Sequence, residues 1–435
     1  MLQLAAPLAL AELGWMAMGI VDTIMAGRLG PVPLGAGSLG NMVFYPTVVG
    51  ATGLLLGMDT LVAQSFGAND ATDCRRTLVN GTWLAMALSP VLAGVILVLL
   101  PVLWAASVNP RVMVELTPYM KAMLWGIPPL LLYTAFRRYL QAVNVVKPVT
   151  FALVSANIIN FFGNWVLIFG HWGAPRLGLA GSGWSTSLSR GYMAAVLLAA
   201  ILWHERRTGN LLFEVSWRPH AARIRRLVAL GLPASGQMMF EGAMFGVVTV
   251  LAARLDEVSL AAHSIAVQVI ATTFMVPLGI SSAAAVRVGH AVGRKDPHGV
   301  SAAGWTALAL SGMFMGAAGI LLWTVPGWVV ALFIRDSAVV ASGATLLRIA
   351  AFFELFDGFQ VVATGALRGV GDTRTPMLAH LAGYWVFGLP VAYVLCYTLG
   401  WGVSGIWVGL TTALILIGAA LVAVWRAAAC NNGLS

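Results

Sequence analysis

Six acids lie inside apolar runs of this chain: Glu12, Asp22, Asp59, Glu241, Glu354 and Asp357. Glu241 is the clearest case, because it sits in the middle of the stretch from Gly231 to Arg254, about 36 Å long as an α-helix and therefore long enough to cross a bilayer. A carboxylate at the centre of such a helix costs about 2.5 to 3.5 kcal/mol on insertion scales. It is expected to face a polar cavity, bind a cation or carry a proton. Glu354 and Asp357 are three residues apart and share a helix face, where neighbouring carboxylates share a proton or bracket a cation. The structural alternative is pairing with a base inside the spans, for which Lys121, Arg190 and Arg348 are available. Glu12 lies closer to a span end, and for Asp59 a structural hydrogen-bonding role is at least as well supported. Asn157, Asn160 and Asn164 form a polar stripe at helical spacing. Two readings stand for it: hydrogen-bonding glue between helices, or the lining of a cavity beside Asp22.

The elements that must position these groups follow from hydropathy. With 59% hydrophobic and 9% charged residues, the chain is far from the soluble balance, in which about a quarter of residues are charged. It reads as an all-α polytopic membrane protein of twelve helices, near 4–25, 34–65, 77–104, 113–136, 148–170, 180–203, 227–253, 259–290, 300–331, 339–366, 376–398 and 404–425. Pro46, Pro128, Pro129, Pro277 and Pro390 inside them predict bends. The net charge of +9 is dispersed among short loops, which argues against a nucleic-acid partner and for a topology signal. One set of alternate loops, with the C-terminal end, holds seventeen Arg and Lys and the other holds five, placing both termini and the loop 204–226 in the cytoplasm. Membrane lipids are the expected surroundings. No basic head or cleavage site precedes the first span, so no removable signal peptide is expected.

The chain is also duplicated. A shift of 226 residues aligns Pro7 with Pro233, Arg28 with Arg254 and Asp70 with Asp296, and seven of fourteen positions from Met25 to Ser38 are identical. A shift of 228 aligns Pro148 with Pro376. Each repeat holds an even number of spans, so the expectation is an N-lobe, 1–203, and a C-lobe, 227–435, joined by the linker 204–226 and related by a pseudo-two-fold axis along the membrane normal. The acids do not follow the repeat: Glu241 falls on Trp15 and Asp22 on Val248. Ion and substrate are thus expected to use different lobes.

No phosphate-binding Gly-x-x-x-x-Gly-Lys-Ser/Thr loop, His-Glu-x-x-His motif or paired-Cys motif is present, so neither an ATPase nor a metalloenzyme is indicated. An ion gradient is the expected energy source.

The stretches Met-Gly-Ile-Val-Asp22-Thr-Ile-Met-Ala-Gly-Arg28, Asp59-Thr-Leu-Val-Ala-Gln64-Ser-Phe-Gly67, Leu-Pro233 leading to Phe-Glu241, and Phe-Asp357-Gly leading to Gly365-Ala-Leu-Arg368-Gly-Val-Gly-Asp372 resemble the multidrug and toxic compound extrusion (MATE) family, in its bacterial NorM-type branch. The resemblance covers essentially the whole chain. It implies an ion-coupled secondary transporter rather than an enzyme: an efflux antiporter, expected as a monomer in the bacterial inner membrane, that exports cationic amphipathic compounds in exchange for sodium ions or protons by alternating access. No cofactor is implied beyond the coupling ion. Glu241 and Asp357 match the family's C-lobe cation-binding acids, and would be the sodium ligands of a sodium-coupled member, with Glu354 beside them. Asp22 matches its N-lobe aspartate, with Asn157 and Asn160 near it. Some sodium-coupled members carry a tyrosine where this chain has Phe353, and the sixth helix here lacks the acid of archaeal-type members. A flippase or exporter of a lipid-linked or narrow endogenous substrate is the alternative.

Overall fold

The structure is a computed structural model that describes residues 1–105, 109–209 and 215–431; residues 210–214 of the expected linker and the end of the expected C-lobe, 432–435, lie outside the described residues. It is helical throughout: α1 (Leu2–Gly27), α2 (Pro31–Leu55), α3 (Gly57–Gly67), α4 (Ala71–Ala105), α5 (Pro110–Trp125), α6 (Ile127–Ala142), α7 (Lys147–Phe169), α8 (Leu179–Arg207), α9 (Ala221–Ala253), α10 (Glu257–Gly293), α11 (Pro297–Thr324), α12 (Pro326–Ala331), α13 (Ser337–Val370), α14 (Arg374–His380), α15 (Leu389–Tyr393) and α16 (Gly402–Asn431). The stretches Leu381–Gly388 and Val394–Thr398 around α15 are π-helical.

Among the described residues, eleven of the expected twelve spans correspond to helical stretches long and apolar enough to cross a membrane. The twelfth, expected near 113–136, is two 16-residue helices, α5 and α6, that break at Gly126. Pro128 and Pro129 therefore do not bend a continuous helix; they fall in the first turn of a new one, where their missing N–H is unneeded. The second span also divides, at Leu56 between α2 and α3, whereas Pro46 sits inside unbroken α2 and Pro277 inside unbroken α10. Neighbouring turns absorb those prolines.

Side-chain caps fix several starts. Asp296 Oδ1 accepts from Gly299 N at 2.8 Å, and Asp70, its partner in the repeat, accepts from Asp73 N at 2.8 Å. The residue before each cap, Lys295 and Asn69, has a left-handed backbone, with φ of 55° and 59°.

The described chain divides into two compact units. One holds Met1–Glu12 and Gly236–Ser435; the other holds Leu13–Ser235. Each unit thus takes the first part of a helix from the other half of the sequence. In the unit of Gly236–Ser435, α10 receives the start of α1 so closely that a Cβ on Gly279 would lie 2.4 Å from Ala9 N. In the Leu13–Ser235 unit, α2 receives the start of α9, and a Cβ on Gly53 would lie 2.5 Å from Ser235 Cα. Glycine at both places permits backbone-to-backbone packing. The segment leading into α9 is fastened to α4 in that same unit: Trp83 Nε1 donates to Trp217 O at 2.7 Å, His220 N donates to Asn80 Oδ1 at 2.7 Å, and Arg223 holds both Thr77 Oγ1, at 2.8 Å, and the Asp73 carboxylate.

Candidate functional site

In the unit of Gly236–Ser435, α13 brings Glu354 and Asp357 together on one face and buries both, Glu354 completely. Glu354 Oε1 accepts from Thr273 Oγ1 of α10 at 3.0 Å, while its buried Oε2 has no hydrogen-bond partner. Asp357 Oδ1 accepts from Gln360 Nε2 at 3.0 Å, one turn further along the helix. Gln360 Oε1 in turn faces His380 Nε2 of α14 at 2.6 Å, and His380 Nδ1 faces the Pro376 carbonyl at 2.7 Å. Glu241, half-buried on α9, lies within electrostatic reach of Asp357 and Tyr384. None of the three acids takes part in an ion pair among the described residues. Burying charge without a partner is costly enough that such groups neutralise or bind a cation. Phe353 does not reach into this cluster as a hydrogen-bonding ring would; it stacks on Trp407 at 6.0 Å, and Trp407 Nε1 donates to His263 Nδ1 at 3.2 Å. His263 is thereby satisfied as a packing residue. Among the described residues no group of three or more His, Cys, Asp or Glu is arranged to hold a metal ion.

The unit of Leu13–Ser235 treats its acid differently. Asp22, half-buried on α1, has both oxygens occupied: Asn164 Nδ2 of α7 donates to Oδ1 at 2.7 Å, and Thr186 Oγ1 of α8 donates to Oδ2 at 2.9 Å. Asn160 completes the ring, bonding Asn164 at 3.2 Å and Thr186 at 3.4 Å. The asparagine stripe therefore splits. Asn160 and Asn164 serve Asp22, whereas Asn157 Nδ2 donates to the Gly14 and Leu153 carbonyls at 3.0 and 2.9 Å and ties α7 to α1. Of the three bases inside the spans, Lys121 and Arg348 are exposed and only Arg190 is buried. Asp59, 1% exposed, lies 3.3 Å from Arg138 Nη1 in an ion pair, which is the structural reading of that acid.

Sequence reasoning missed Thr186, Thr273, Gln360 and His380. Gln360 could have been found from its i+3 spacing to Asp357. The others are brought in by helix packing, and a lone Thr or His in an apolar run has no local signal.

Residues 7–166 and 233–394 match the MatE family, one block in each half of the duplication. The chain belongs to the MatE family. Among the MatE relatives, a "Probable multidrug resistance protein NorM" of Mesorhizobium japonicum is 37% identical, covering 98% of this chain and 92% of the relative. One of the same description from Rhodopseudomonas palustris is 38% identical, with 98% and 90% covered. The "Multidrug resistance protein PmpM" of Pseudomonas aeruginosa is 35% identical over 98% and 90%. Solved structures agree in fold: a MATE in complex with MaL6 has a TM-score of 0.91 at 19% identity over 100% of this chain and 96% of that one. The eukaryotic MATE transporter AtDTX14 has 0.86 at 19% over 99% and 97%. This MatE chain is therefore a membrane transporter of a multidrug-efflux family, and its all-helical, many-span fold is that of solved MATE structures.

Proposed function

We propose that the protein is a secondary antiporter of the bacterial inner membrane, with both termini cytoplasmic, that exports cationic amphipathic compounds in exchange for protons or sodium ions. The observation that carries this reading is the cluster of Glu241, Glu354 and Asp357, three acids on apolar helices with no base in an ion pair. An arriving cation or proton neutralises the cluster and stabilises one conformation of the chain, and drug favours another. A ligand shifts such an equilibrium only by its differential affinity for the states, so coupling needs no direct contact between ion and drug. The lobes 1–203 and 227–435 are the bodies proposed to move, joined by the linker 204–226, with Asp22, Asn160 and Asn164 lining the N-lobe site and Asn157 bracing it.

The test is ethidium export by the protein reconstituted in liposomes, under a sodium gradient alone or a pH gradient alone. Export driven by one gradient and lost in Glu241→Gln and Asp357→Asn names the ion. Wild-type export by both variants removes these acids from the mechanism. A cluster of unpaired acids disfavours an anionic pyrophosphate cargo, which sets the lipid-linked reading behind the cationic one.

A further inference from the structure

Arg190 is a buried base that the coupling scheme leaves without work. It sits at the twelfth residue of α8, about 17 Å from the helix start and so near the middle of a span. It is 4% exposed, and its Nε and Nη1 are buried with no hydrogen-bond partner. The guanidinium lies over the Phe44 ring, 4.8 Å from its centroid. The charged and ionisable groups facing it are Asp22 of α1, Tyr45 of α2 and Tyr119 of α5. Asp22 makes no ion pair with it; its two carboxylate oxygens accept from Asn164 and Thr186. Opposite charges thus share one polar region of the Leu13–Ser235 unit while the donors of the cation stay unused.

The helix break explains how the guanidinium fits. Gly126 N bonds Met123 O at 3.0 Å, a tightened turn that releases the Ala122 carbonyl, and Ser187 Oγ takes that carbonyl at 2.8 Å. A Cβ on Gly126 would lie 2.7 Å from Ser187 Oγ and 3.1 Å from Arg190 Nη1. Glycine and a broken helix keep this space for the guanidinium. An intramembrane arginine with unused donors is expensive unless something with acceptors comes to it. A guanidinium presents a planar fork matched to a carboxylate.

We infer that Arg190 is a subsite for the carboxylate of zwitterionic amphiphiles, with Asp22 and its amide ring facing their cationic end. This rests on the export reading above and assigns the residue that meets the carboxylate of those substrates that carry one. The site selects for a free carboxylate and is indifferent to the same molecule esterified.

The probes are rhodamine 110, which joins a cationic ring system to a free carboxylate, and rhodamine 123, its methyl ester. Binding to the purified full chain is read by fluorescence polarisation, and export is read in liposomes. The wild type is expected to bind and export both. Arg190→Gln is expected to weaken rhodamine 110 binding about tenfold or more, the scale of a lost charge-assisted fork, and to leave rhodamine 123 within about twofold. Arg190→Lys keeps the charge but not the fork and is expected to fall between, which carries the test if the glutamine variant does not fold. Equal losses for both dyes, or rhodamine 110 binding unchanged in both variants, would overturn the subsite. Arg190-dependent rhodamine 110 binding with no export of either dye would keep the subsite and overturn the export reading.

Discussion

At corresponding places the two halves of this chain carry opposite arrangements. The shift of 228 residues that pairs Pro148 with Pro376 pairs Gly126 with Glu354. In one unit that place is a glycine at a helix break, with a buried arginine from α8 set against it. In the other it is a buried acid inside the unbroken helix α13. The arginine has no counterpart either: a shift of 224, which pairs Gly181 with Gly405, puts Leu414 opposite Arg190. The acids differ as well. Asp22 has both oxygens hydrogen-bonded, while Glu354 keeps one buried oxygen unpartnered. The lesson is that duplication preserved helices and caps, and the polar interior diverged. At these places one half holds a hydrogen-bonded acid beside a base without hydrogen-bond partners, and the other holds Glu354 and Asp357 with no ion pair to either.

The sharpest way to break this comparison is Asp357→Asn, which should reduce gradient-driven ethidium export by about a hundredfold or more, with the thermal midpoint nearly unchanged. A comparable loss from removing the paired acid Asp59 by a mechanism other than misfolding would erase the distinction between the acids. For Asp59→Asn the expected effect is instead on stability. It leaves Arg138, 14% exposed, without its carboxylate, at a cost of about 2 kcal/mol after allowing for that exposure, measurable as a fall in thermal midpoint. Glu354→Leu is expected to go the other way. Replacing a half-satisfied buried acid by an apolar side chain of similar size should raise stability by about 1 to 3 kcal/mol while lowering coupled export. The smallest effects test what the halves share: Asp70→Ala and Asp296→Ala each remove the same cap and should each cost about 1 kcal/mol. Clearly unequal costs would show that the duplication is less regular than its helix ends suggest.

Much of the fold was legible because it is written in long apolar runs. The repeat even places the helix ends: Pro31 and Gly67 of α2 and α3 fall on Glu257 and Gly293 of α10 under the 226 shift. The prolines misled where they were read singly. Pro128 and Pro129 marked a helix start rather than a bend, and the true break needed Gly126 together with a large side chain from another helix to fill the gap. The acids were legible because charge is costly in lipid. Their partners were not, since Thr186 is 164 residues from Asp22, and Thr273 is 81 from Glu354. Glu12, expected close enough to an interface for water, is instead 9% exposed, at the edge of the segment that packs with the other half of the sequence.

The fastening of Trp217, His220 and Arg223 onto α4 makes the protein a natural candidate for splitting. A chain severed after Gly209 would yield two polypeptides, and the second would begin with the piece that completes the first one's unit. Covalent continuity between the halves is then a convenience of synthesis: co-expressed separately, with a tag on only one, they are expected to assemble and purify together.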